Sequence, residues 1–150
     1  ARTEAGQADL VVAEAEAALG PIDILVANAG GPPSTLFEST TEEQYQAAIN
    51  LNLLGSIRLA HAVEPGMRAR KWGRVLFLTS MAAKMPIQGL LLSNTARAGL
   101  LGFAKTLANI FNLSLTTSVV HRQWKAHRSC LFRRQVYHYS QQTTGRFPSR

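Results

Sequence analysis

Ile22-Asp23-Ile24-Leu25-Val26-Ala27-Asn28-Ala29-Gly30-Gly31-Pro32-Pro33 is the stretch on which the fold turns. Its first six residues are mostly apolar and β-branched. The next six are the Asn, Gly and Pro residues that stop a chain sharply, so the segment reads as a buried strand running into a tight loop. A second run of the same kind, Arg74-Val75-Leu76-Phe77-Leu78-Thr79-Ser80, follows after roughly 46 residues that contain a helical pattern. A connection of that length and content does not make a hairpin. It predicts two parallel neighbours joined by a right-handed crossover, both ending at the same edge of the sheet. In open α/β sheets the ligand crevice lies beyond the carboxyl ends of the strands, here beside Asn28 and Ser80.

Working outward, Val11, Val12, Ala15, Ala18 and Leu19 form one stripe of a helix that Gly20-Pro21 ends. A second helix opens at Ser39-Thr40-Thr41, where Thr40 with Glu43 or Ser39 with Glu42 makes a capping box, and it runs to Pro65-Gly66, expected to break or kink it. Its stripe is Tyr45, Ala48, Ile49, Asn52, Ser56, Leu59, Ala60 and Val63, which turns Asn52 inward. A buried amide in that place either serves chemistry or simply bonds to backbone. A third helix spans Leu90 to Ala108, with Leu92, Ala96, Gly99, Leu100, Phe103 and Leu107 on its buried side. Leu51, Leu54 and Ile57 give the middle helix an additional apolar side, to be met by the chain's own neighbouring helix or by a second subunit.

The 150 residues suffice for one domain and not for two ordinary ones. Net charge is +7, yet residues 1–109 carry nine basic and nine acidic side chains, so the whole excess lies in residues 110–150, which hold seven Arg/Lys and no acid. Two regions are therefore expected: a folded body over 1–109 and a basic, irregular tail over 110–150. Leu115 to Val120 is a possible strand within that tail. Beyond it Trp124, Phe132, Tyr137, Tyr139 and Phe147 follow neither helical nor strand period. Such a tail could contact phosphates and stack bases, but no folded platform or nucleic-acid motif accompanies it, and a nucleic-acid partner is not expected. Cys130 stands alone, so neither a disulfide nor a zinc site is expected. With no apolar run near the roughly 18 residues of a membrane span and no signal-peptide layout, the expected place is the cytoplasm, without membrane insertion.

IDILVANAG (Ile22 to Gly30) resembles the strand-and-loop signature of the short-chain dehydrogenase/reductase family, which usually ends Asn-Asn-Ala-Gly; Ala27 stands in place of the first Asn. The resemblance continues through Asn50-Leu51-Asn52-Leu53-Leu54-Gly55 and GRVLFLTS (Gly73 to Ser80), and covers roughly residues 8–108. It implies an α/β fold with a Rossmann-like, doubly wound parallel sheet in three layers. It also implies NAD or NADP as cofactor and hydride transfer on a small carbonyl or alcohol substrate. By that resemblance Asn28, Ala29 and Gly30 lie against the cofactor, small residues permitting close backbone approach. Asn52 matches the helix asparagine that holds an ordered water in the proton relay, and Ser80 the serine that hydrogen-bonds the substrate oxygen; Ser80 is otherwise an ordinary turn or cap residue.

Thirteen residues after Ser80, where the family places Tyr-x-x-x-Lys, this chain has Ser93-Asn94-Thr95-Ala96-Arg97. Ser93 and Arg97 share a helix face, as the family's pair does. The family's chemistry uses a phenol whose pKa is drawn toward neutrality by neighbouring positive charge. A serine hydroxyl is far too weak an acid for that role. Arg97 supplies a fixed charge able to bind ribose hydroxyls, but it does not titrate. Some divergent members of the family resemble this Ser-Asn-x-x-Arg arrangement.

No Gly-x-x-x-Gly-x-Gly turn of the kind that seats a pyrophosphate occurs in the sequence. The expectation is accordingly a partial fold lacking its first β-α-β half, impaired in catalysis, with the 22–27 strand left as an exposed, aggregation-prone edge. A non-catalytic oligomerisation or scaffold module is the alternative, using the 40–64 and 90–108 helices to form a homo-oligomer, and Leu54→Glu tested by size exclusion separates the two. The simultaneous loss of pattern and of acidic residues past Asn109 is what a shifted reading frame produces. Reading the coding DNA in its other two frames should then recover a Val-rich strand followed by a Pro-Gly turn; finding neither would remove that explanation of the tail.

Overall fold

The computed structural model describes residues 6–110, 115–120 and 136–141. Its centre is the pair β1 (Ile24–Ala29) and β2 (Gly73–Leu78), which run parallel in the register Ile24↔Arg74 to Ala27↔Phe77. β3 (Leu115–Val120) pairs in parallel with β2, and β4 (Val136–Gln141) in parallel with β1, giving the order β3-β2-β1-β4. The parallel arrangement expected from the long crossover is thus present. Asn28 and Ser80 follow the register to the same edge of the sheet.

One expectation is overturned by β4. The 22–27 strand was to have a bare edge, but β1 is paired on both sides, because Ile24 to Ala29 match Val136 to Gln141 residue for residue. Val136, Tyr137 and Tyr139 favour a strand, but the other half of Val-Tyr-His-Tyr-Ser-Gln is polar and the run is too short to announce one. Most of the tail reading for 110–150 lies outside the described residues; its described parts are these two strands.

Burial along β2 alternates, with Gly73, Val75 and Phe77 turned to the core. Through the register Leu25 and Ala27 of β1 share that face. Against it pack α1 (Gln7–Leu19), α3 (Gly55–Ala69) and α4 (Leu91–Ile110), which contribute Val12, then Leu59, Ala60, Val63 and Met67, then Leu100 and Ala104. Phe77 meets Phe103 edge to face at 5.9 Å. The opposite face carries Ile24, Val26, Arg74 and Leu76, of which Ile24 is buried. On α1 only Val12 is buried, with Ala8 and Ala15 packed beside it, so the contact stripe is rotated from the expected one and Leu19 is exposed.

The middle helix differs from its sequence reading in three ways. Ser39 and Thr40 turn their hydroxyls onto the Leu36 carbonyl, which moves the helix start one residue on. Thr41 is the cap, in a reciprocal box with Gln44. The Thr41 side chain and the local backbone also hold the Glu43 carboxyl below its ordinary pKa, so this small contribution to stability is present above the unfolded value and fades as pH falls. Next, α2 (Glu42–Ile49) passes into α3 through a π-helical turn, Asn50–Leu54, which widens the helix by one residue and which no 3.6-residue pattern shows. Finally, Pro65 neither breaks nor ends α3. The helix runs on to Ala69 and closes with Trp72 N–H on the Met67 carbonyl and Lys71 N–H on that of Arg68, Lys71 taking the left-handed conformation at φ 54°.

Gly73 opens β2 where Met67 of α3 crosses it. A Cβ at Gly73 would stand 2.5 Å from Met67 Cγ and Sδ and 2.7 Å from its Cβ. Because the Cβ is part of the clash, rotating the Met67 side chain cannot relieve it. Gly73→Ala should cost about 1–3 kcal/mol in urea unfolding, as overpacking does, and because Met67→Ala removes the Cγ and Sδ contacts, the double variant should lose less than the two single losses added together.

Candidate functional site

At the carboxyl edge of the sheet, β1 delivers Asn28 and Ala29, both half-buried, and the chain leaves through exposed Gly30. β2 delivers Thr79, which is buried, and Ser80. The Ser80 hydroxyl accepts the Ala82 N–H at 3.2 Å and caps a 3-10 turn, Met81–Ala83. Its cap reading is therefore realised, while the hydroxyl proton takes no part in that bond. Above this edge lies α4. Thr79, Ser80, Met81, Ala83, Lys84, Met85 and Leu101 enclose an open, mainly apolar cavity of about 170 Å³.

Ser93 and Arg97 stand one turn apart on α4, each only 8% exposed, so the shared face expected from their spacing is turned inward. What the spacing did not show is where the guanidinium goes. Arg97 Nη1 donates to the Leu78 carbonyl at 3.0 Å and Nη2 to the Ala29 carbonyl at 3.2 Å. One side chain thereby spans the last residues of both central strands and ties them to α4. A buried charge is tolerable only when hydrogen-bonded, and these two carbonyls meet that need.

Asn52 lies inside the π-helical turn and is 1% exposed, inward-facing as expected. Its Nδ2 donates to the Ala48 carbonyl at 3.3 Å, whereas Oδ1 is buried without a hydrogen-bond partner. A buried amide oxygen without a protein partner is one that an ordered water can satisfy. Asn94 and Thr35 add two ties that no sequence pattern marks. The Asn94 amide bonds both polar groups of Ile87, and Thr35 N–H donates to the Gly89 carbonyl at 3.1 Å. Among the described residues no cluster of His, Cys, Asp or Glu could hold a metal, and no helix is long and apolar enough to cross a membrane.

The sequence pattern of the short chain dehydrogenases matches residues 2–116. The chain belongs to the short-chain dehydrogenase family. It is 42% identical over 97 residues to the acetoacetyl-CoA reductase of Shinella zoogloeoides, a match that covers 65% of this chain and 40% of that enzyme. Over 119 residues it is 29% identical to the 3-oxoacyl-[acyl-carrier-protein] reductase MabA of Mycobacterium tuberculosis (strain ATCC 25618 / H37Rv), covering 79% of this chain and 48% of the relative. Among solved structures, a short-chain dehydrogenase from Streptomyces avermitilis superposes with a TM-score of 0.75 at 29% identity, over 81% of this chain and 45% of the other. The chain thus spans 40–48% of the length of these relatives. The Rossmann-type α/β fold that the resemblance implies is the fold of this family.

The clamp has a measurable consequence. Arg97→Met keeps the aliphatic stem but leaves two strand-end carbonyls without their charged donor, and should lower stability by about 1.5–3 kcal/mol for bonds to a charged group. Arg97→Lys, with one compact ammonium in place of a fork, should recover only part of this. Urea midpoints with unchanged slope would report it; a wild-type midpoint for Arg97→Met would show that the two bonds carry no net stability.

Proposed function

We propose that this chain derives from an oxidoreductase that transfers hydride between a nicotinamide cofactor and a carbonyl or alcohol carbon of a small substrate, and that its proton-transfer pair has been replaced by a weaker one. The observation that carries the reading is the convergence of Asn28-Ala29-Gly30, Ser80, Ser93 and Arg97 on one edge of a parallel sheet, with the buried, unpartnered Oδ1 of Asn52 behind them. Both the family and the reductases among its relatives support the redox chemistry.

The turn Asn28-Ala29-Gly30 fits a dinucleotide: it is small, it stands at the crevice edge, and Gly30 is exposed. NAD or NADP, when bound, supplies or accepts the hydride. The chain's own residues would do the rest. Ser80 directs its hydroxyl proton to the substrate oxygen while its lone pair stays on Ala82 N–H. Ser93 can hydrogen-bond that oxygen, but at neutral pH its hydroxyl neither gives up nor takes a proton as a tuned phenol does. Arg97 stabilises negative charge without titrating. Its guanidinium is engaged by two carbonyls, so its hold on ribose hydroxyls is weaker than that of a side chain aimed outward. Asn52 Oδ1 offers the acceptor for an ordered water. We also read the helices over 40–64 and 90–108 as the contact of a homo-oligomer, with Leu51, Leu54 and Ile57 only half-buried in the single chain, and place the protein in the cytoplasm.

Titration with NADH and NADPH, followed by nicotinamide fluorescence, tests the cofactor part: a saturable change supports it, and a flat response through millimolar concentration overturns it. With acetoacetyl-CoA as carbonyl probe, turnover by the chain should lie about 10²–10⁴-fold below that of a Ser93→Tyr/Arg97→Lys variant, the usual worth of general acid catalysis. Equal rates would show that Ser93 and Arg97 are not an impaired pair.

A further inference from the structure

Between Ser80 and α4 the chain makes a loop of ten residues, Met81 to Leu90, that forms much of the cavity wall through Met81, Ala83, Lys84 and Met85. All five side chains from Lys84 to Gln88 are exposed, so apolar burial does not hold that part of the loop in place. Its fixation has to come from hydrogen bonds. Ile87 to Leu90 form a turn in which Leu90 N–H donates to the Ile87 carbonyl at 3.2 Å and Gly89 supplies the left-handed conformation at φ 77°. Thr35, on the loop after β1, donates its N–H to the Gly89 carbonyl and forms a β-bridge with Leu90.

The third tie is the specific one. Asn94 Nδ2 donates to the Ile87 carbonyl at 2.9 Å, and Asn94 Oδ1 accepts the Ile87 N–H at 3.4 Å. A side-chain amide has the donor and acceptor arrangement of a peptide group, so it satisfies both polar groups of one loop residue as a neighbouring strand would. Asn94 follows Ser93 directly and belongs to the first turn of α4, its own N–H bonded to the Leu90 carbonyl at 2.8 Å. The side chain that anchors the loop is therefore attached to the helix turn that presents Ser93.

We propose that Asn94 is a positioning residue, which fixes the Lys84–Leu90 loop in register with Ser93 and so sets the wall of the cavity beside Ser80. This role rests on the site proposed above but requires no turnover. Loss of the amide should free the loop without loosening α4, since alanine is a better helix former than asparagine. A merely structural contribution to the helix would shift stability in the opposite direction.

The test uses the full chain and an Asn94→Ala variant. Trypsin cleavage after Lys84, followed by mass spectrometry, should accelerate about 2- to 10-fold, the population change expected from one or two lost hydrogen bonds, while cleavage after Lys105 in α4 stays constant. In carbon-13 methyl spectra the Met85 signal should move and broaden while that of buried Met67 stays in place, and Asn94→Gln, which keeps the amide on a longer stem, should restore part of the Met85 position. Unchanged cleavage after Lys84, equal acceleration at Lys105, or an unmoved Met85 methyl would each overturn the proposal. Should Asn94→Ala not fold, hydrogen exchange of Ile87 in the unaltered chain decides: protection supports the clamp, and exchange at the rate of a free loop amide refutes it. None of these readouts involves the cofactor, so a flat nicotinamide titration would count against the proposed function and leave the clamp standing.

Discussion

Arg97 holds this structure together at the point where chemistry is expected. Two parallel strands end side by side with their last carbonyls beneath α4, whose packing partly shields them from water. One guanidinium, itself too costly to bury alone, satisfies the Leu78 and Ala29 carbonyls and is satisfied by them. The position of Ser93 relative to Ser80 and Asn28 follows from that exchange, because Ser93 is one turn away on the same helix. Lysine at this place would offer a point charge; arginine offers a fork with two directions, which is what spanning two strands demands.

The strands and their direction were legible because a buried parallel strand needs a dense apolar run and a sharp stop, and both are written into Ile22 to Pro33 and Arg74 to Ser80. Helical content was legible from spacing. Where the reading slipped, a local competitor decided the outcome. Ser39 and Thr40 found a nearer carbonyl at Leu36, so Thr41 became the cap. Pro65 was tolerated because the carbonyl it leaves without a partner, one turn back at His61, lies on the exposed side of α3. The π-turn at Asn50–Leu54 inserts one residue into an otherwise regular stripe, a change too small for periodicity to register.

The site was legible by residue but not by engagement. Ser93, Arg97 and Asn52 face inward and Ser80 follows β2 at the sheet edge, as their spacing predicts, yet nothing in that spacing tells that Arg97 bonds the Leu78 and Ala29 carbonyls or that Asn52 Oδ1 has no protein partner. Asn94 was invisible as a positioning group because its partner, Ile87, is an ordinary loop residue whose peptide, not its side chain, makes the contact. Hydrogen bonds to backbone leave no imprint on the partner's residue type, which is why the ties of the loop became apparent only in three dimensions.

Pairing between β1 and β4 joins residues more than a hundred positions apart, Ile24 with Val136. Closing so long a loop is entropically slow, and ribosomal synthesis imposes a further delay, since β4 is made more than a hundred residues after β1. During that interval β1 can be held on one flank by β2, already joined to it through α3, while its other flank faces the nascent chain's surroundings. A chaperone that shields extended backbone would find its natural target there, at a time set by translation rather than by the stability of the finished fold.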